Sequence, residues 1–140
     1  MKRVRDQRGS VAVEVAVLAP ALLALMLLVV FAGRVAHADG QVQRATSEAA
    51  RAASLRQSPE AAVESARSVA SSNLEASGFI CQDLVTDVDI EQFAPGGSVT
   101  VTVRCVASMR DVTLLGVPGE RTFVASSTEV IDRYRGGGGG

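Results

Sequence analysis

From Val15 to Gly33 the chain runs for 19 consecutive residues without a charge, "VAVLAPALLALMLLVVFAG". As a helix, such a run rises about 28 Å, close to the roughly 30 Å hydrocarbon core of a bilayer. A run of this kind calls for a membrane, and it takes a large share of a 140-residue chain, leaving room for one small folded unit. Charge is arranged around it. Lys2, Arg3, Arg5 and Arg8 against Asp6 give the first nine residues +3, and the rest of the chain carries -4. Arg34 is the only nearby basic residue beyond the run, so the positive-inside rule puts the N-terminus in the cytoplasm and residues 34–140 outside. The whole-chain charge of -1 gives no support for binding nucleic acid.

Beyond the span, "RVAHADGQVQRATSEAARAASLRQ" keeps a helical period, with Val42, Ala45, Ala49 and Ala52 at three- and four-residue steps. The stripe is narrow and small, suited to close approach by another helix. Gly40 weakens the helix by about 1 kcal/mol relative to Ala without having to end it. A bend or stop is expected near Gln57, because Ser58, Pro59 and Glu60 form a fresh start: N-cap, first-turn proline and a favourably placed acid. Ala62, Val63, Ala66, Val69, Ala70 and Leu74 make the apolar face of this second piece, and Gly78 is its terminator.

Composition changes at Phe79. "LVTDVDI" alternates, with Leu84, Thr86, Val88 and Ile90 on one face and Asp87 and Asp89 on the other, and "SVTVTVRCV" aligns Val99, Val101, Val103 and Cys105. Ala94 to Gly97, "APGG", is turn chemistry, so an antiparallel hairpin is expected. Further β-prone runs at Val112 to Leu115 and Arg121 to Ile131 flank Val117-Pro118-Gly119, which suggests a second hairpin and a sheet of three or four strands. Cys81 and Cys105 have no CxxC spacing, and a single disulfide in the exported part is the natural reading, two free thiols being the alternative. Strict alternation puts Cys81 on the aspartate face and Cys105 on the valine face, so the bond requires an irregular start near Cys81.

Glu14 stands just ahead of the charge-free run, where a carboxylate costs on the order of 2.5 to 3.5 kcal/mol if carried to mid-bilayer. Gly9 precedes it by five positions and directly follows the basic cluster. A cut after Gly9 would make Ser10 the new N-terminus and put its ammonium one helical turn from Glu14. Gly9, Val13-Glu14 and the apolar "VAVLAP" ending at Pro20 resemble the prepilin signal of the type IV pilin superfamily, and more closely the TadE-like pseudopilins of Tad (tight adherence) pilus systems. The likeness covers about residues 5–34, and "SEAARAAS" at Ser47 to Ser54 is similar to the Ala-Arg segment that follows the span in that family. Val15 departs from it, standing where an aromatic often follows the Glu.

The resemblance implies a cleavage site at Gly9 and Ser10, an assembly role for Glu14 and Pro20, and a type IV pilin-like α+β fold. It also implies a minor pilin or pseudopilin that primes, caps or regulates an adhesive surface filament. Implied partners are a prepilin peptidase, other pilin subunits, the inner-membrane assembly platform and the membrane itself; no nucleic acid and no cofactor is expected. The expected layout is a leader at 1–9, a hydrophobic assembly helix at 10–33, a helical stalk at 34–78, a small β domain tied by Cys81 and Cys105 at 79–135, and a flexible glycine tail at 136–140.

Other readings stay open. "VAHA" before Asp39 offers Ala36 and Ala38 to signal peptidase, which would release a soluble protein. A plain single-pass anchor would leave Gly9 and Glu14 without a task. Enzymatic chemistry has no visible carrier: His37 is the only histidine, the serines lack a basic partner, and no phosphate-binding loop is present. Asp83, Asp87, Asp89 and Glu91 read as a solvated strand face rather than a calcium loop, and no metal is expected.

Overall fold

The computed structural model describes residues 8–134, with side chains from residue 11. Of the expected leader at 1–9, only the backbone of Arg8 and Gly9 lies among the described residues, and the expected tail at 136–140 lies outside them. The elements are α1 (Arg8–Ser54), α2 (Pro59–Ala76), β1 (Asp83–Asp89), β2 (Ser98–Ser108), α3 (Met109–Thr113) and β3 (Glu120–Val130). Two compact units divide the chain, Met1–Gly33 and Arg34–Gly140.

In the first unit the described residues are all helical. The helix is unbroken at Pro20, although proline removes one backbone hydrogen bond there. Residues 11–30 are exposed without exception. The apolar window long enough to cross a membrane has none of its residues buried within the molecule.

The second unit is built on small side chains. Ala38, Val42, Ala45, Ala49 and Ala53 fall on one side of α1 and are buried, with Thr46 and Ala50 beside them. The helix is rolled slightly from the expected stripe, so that Ala52 is only half-buried. The Thr46 hydroxyl donates to the Val42 carbonyl at 2.7 Å, which satisfies a polar group that burial would otherwise penalise. α1 ends at Ser54, three residues before the expected stop, and a turn from the Arg56 N–H to the Ala53 carbonyl closes it.

α2 begins as its sequence dictates. Ser58 is extended and its hydroxyl accepts from the Ala61 N–H at 3.2 Å, with Pro59 in the first turn. It ends in a paired capping motif: the Gly78 N–H bonds the Glu75 carbonyl and the Phe79 N–H bonds the Leu74 carbonyl. This closure puts Gly78 at φ +71°, a region that residues with a Cβ avoid.

The three strands form one antiparallel sheet in the order β1-β2-β3. Between β1 and β2 the Ala94–Gly97 turn is close enough to the Gln92 carbonyl that a Cβ at Gly97 would lie 2.0 Å from its oxygen. Val99, Val101, Val103, Cys105 and Ala107 are buried on one face of β2. Leu84, Thr86 and Val88 flank them from β1, and Phe123 and Ala125 from β3. The other face carries hydroxyl pairs, Thr100 with Thr128 at 2.8 Å and Thr102 with Ser126 at 3.0 Å.

Two expectations change. Val112 to Leu115 is not a strand: Ser108 caps a short helix, its hydroxyl accepting from the Arg110 N–H, and the Thr113 hydroxyl donates to the Met109 carbonyl. The second hairpin is therefore β2–β3, with α3 in its connection, and the sheet has three strands. The helical residues 34–78, expected as a stalk, share a single hydrophobic core with the sheet. Each buried alanine methyl contributes only about 0.8 kcal/mol, against about 1.5 to 3 for a valine, so each strand valine counts for more than a helical alanine, and the small alanines let the helices close on the sheet.

Candidate functional site

The site implied by the sequence lies at the head of α1. Gly9 and Ser10 are in its first described turn and Glu14 follows one turn later, about 6 Å further along the axis. Glu14 is exposed. Among the described residues no side chain pairs with it. Around it are Val11, Val13, Val15, Val17 and Leu18, each more than half exposed.

Magnitudes decide what such a helix does. Thirteen large apolar side chains between Val11 and Val30 stand open to solvent, and each gains about 1.5 to 3 kcal/mol when fully removed from water. Glu14 opposes this with on the order of 2.5 to 3.5 kcal/mol on the insertion scale for a charge at the helix centre. By these magnitudes the helix can enter an apolar phase with the carboxylate included. Helical spacing at about 100° per residue also sets Ala12, Ala16 and Ala19 on the side opposite Glu14, leaving a shallow surface that a neighbouring helix can approach closely.

Cys81 and Cys105 are joined by a disulfide, with Cα atoms 5.4 Å apart. The parity problem is resolved because Cys81 lies outside β1, in an irregular segment where only the Gln82 N–H bonds across, to the Val106 carbonyl at 2.7 Å. Phe79 reaches over the same region to meet the Phe123 ring edge-on at 5.7 Å, and the Arg121 guanidinium lies 5.4 Å from the Phe123 ring centre.

The remaining candidates are not brought together. His37 is exposed and its Nε2 accepts from Gln41 Nε2 at 3.2 Å. Asp83, Asp87 and Asp89 line the exposed face of β1, and an Asp89 carboxylate oxygen accepts from the Glu91 N–H. Among the described residues no three His, Cys, Asp or Glu side chains are grouped to hold a metal ion. The sequence reading missed α3, although Ser108 and Asp111 have the Ser-x-x-Asp spacing of a helix start.

No curated protein and no solved structure matches this chain. Residues 9–51, within α1, match the family model described as TadE-like protein.

Proposed function

We propose that this protein is a minor pilin or pseudopilin of a Tad-type pilus, a structural subunit with no catalytic role. It is held in the cytoplasmic membrane by α1 until it joins a surface filament that serves adhesion. The observation that carries this reading is Glu14, an exposed charge beside the apolar run of α1 that pairs with no side chain among the described residues, inside a segment whose family match begins at Gly9.

In this reading a prepilin peptidase hydrolyses the Gly9–Ser10 bond on the cytoplasmic side, consuming one water and releasing the basic leader with a C-terminal carboxylate. The new Ser10 ammonium and Glu14 then lie one turn apart at the head of the helix. Packed in a filament, the Glu14 carboxylate of one subunit meets the Ser10 ammonium of the next. Leaving either group alone among apolar helices costs about 3 to 5 kcal/mol, so the pair fixes the axial step between subunits. The Ala12, Ala16 and Ala19 side lets the neighbour come close.

Burial argues against release by signal peptidase. A cut after Ala38 would remove Ala38, which is buried, and Val35, which packs on the same core.

N-terminal sequencing of the protein from membrane and sheared-surface fractions tests the proposal. Ser10 is expected, whereas Asp39 would mean a secreted protein and Met1 a plain anchor. Gly9→Ala should block processing. Glu14→Ala should be processed yet fail to enter filaments, and normal incorporation of that variant would refute the pairing.

A further inference from the structure

The β2–β3 connection, residues 109–119, displays apolar side chains that no described residue covers. Leu114 is 68% exposed and Leu115 42%, with Val117 half-buried between them and Pro118. Leu114 also has φ +57°, a left-handed conformation that disfavours any residue bearing a Cβ. The loop thus holds a leucine in an unfavourable backbone state and gains no internal burial from it.

The position of the loop within the Arg34–Gly140 unit says what covers it. One end of this unit is marked by a groove in which Gln57, from the α1–α2 connection, and Pro59, at the start of α2, meet Phe93 and Pro95 of the β1–β2 turn and Ile131 after β3. The other end is marked by the close of α2, by Ile80, and by the β2–β3 loop. α2 runs back along α1, since Asn73 shares a groove with Gln41, Arg44 and Ala45. Residues 34–54 of α1 rise about 30 Å, and the 11 residues of β2 span about 36 Å. Val35 still packs on the common core. Arg34 therefore lies at the end of the unit that carries the loop, and in the sequence Arg34 is the first residue past the charge-free run. Ile80, 62% exposed, lies at this end too, two residues before Gln82, whose N–H bonds the Val106 carbonyl.

We infer that the β2–β3 loop is a second membrane contact: Leu114 and Leu115, with Ile80 at the same end of the unit, enter the lipid interface where residue 34 leaves the bilayer. This rests on the reading of residues 10–33 as a membrane span. Exposed Arg110 and Arg121 flank the loop next to Asp111 and Glu120, so it carries no net charge. Burial of apolar surface drives the contact, and acidic lipid adds nothing to it. The contact holds the unit against the membrane before assembly and is given up when the subunit is extracted.

Site-specific fluorescence on the full chain in phosphatidylcholine vesicles tests this. A nitrobenzoxadiazole label goes on Leu115→Cys, on Ala94→Cys at the opposite end, or on Leu22→Cys in the span, without reductant so that Cys81–Cys105 stays closed. Lipid carrying a nitroxide near the headgroup should abolish most emission from position 115 and leave position 94 bright, equally with and without added phosphatidylglycerol. Lipid with the nitroxide near the chain end should quench position 22. If position 22 is quenched while 115 stays as bright as 94, the loop contact is wrong and the span stands. If position 22 also escapes, the span itself fails and takes this inference with it. A label at 115 shielded from aqueous iodide yet untouched by lipid nitroxide would mean that protein covers the loop, which also overturns the inference.

Discussion

Leu22 and Leu74 are the same side chain in two settings, and the contrast between them separates the two units of this protein. Leu22 sits in an alanine- and leucine-rich helix and is 64% exposed; Leu74 sits at the end of an alanine-rich helix and is 2% exposed. The Arg34–Gly140 unit has a core of its own, with valines on one face of β2 and alanines on α1 and α2. The described part of the Met1–Gly33 unit has none. Apolar surface left open over so long a helix must be covered by something outside the chain, so one unit is stable by its own packing and the other is completed by its surroundings.

Leucine truncation should give the largest effect and the clearest break of that comparison. Leu74→Ala should lower the unfolding free energy by about 2 to 5 kcal/mol, and Leu22→Ala should leave it unchanged, as read by denaturant titration of the full chain in detergent. Equal losses at both positions would mean that the units fold as one. Next comes the covalent tie. Replacing Cys81 and Cys105 together by Ser should cost about 3 to 4 kcal/mol on the chain-entropy model for a loop of this size, and adding reductant to the native protein should reproduce the loss. A smaller effect is expected from Ser58→Ala, which removes the α2 cap: about 0.5 to 2 kcal/mol, measurable as a lowered Tm of the second unit. The smallest has the opposite sign. The Ser65 hydroxyl is buried and has no hydrogen-bond partner among the described residues. Ser65→Ala should therefore stabilise by up to about 1 kcal/mol, and a clear loss of stability would reveal a partner for that hydroxyl.

What the sequence made legible was local. The charge-free run, the Ser58-Pro59 helix start, the "APGG" turn and the alternation of β1 and β2 each follow from residues within a few positions of one another, and each is present. The failures came where a local pattern had two solutions or where the partner was distant. Val112 to Leu115 has strand composition, but the cap at Ser108 and the Thr113 hydroxyl bond favour a helical turn there. The alanine stripe on α1 announced a close neighbour without saying which, and the common core with the sheet is a matter of tertiary packing that no single stretch encodes. Cys81 illustrates the boundary well, since parity demanded an irregularity and only the fold places it outside β1.

In the filament role proposed above, the Cys81–Cys105 bond takes on a mechanical meaning. Tension entering along α1 and leaving through β3 crosses from Cys81 to Cys105 through two sulfur atoms, so β1 and its turn into β2 lie off the line of force. Even under a load that strips the rest of the unit, about 80 Å of chain contour stays out of reach. An overstretched subunit would therefore lengthen less and recover with its hairpin ends still held together.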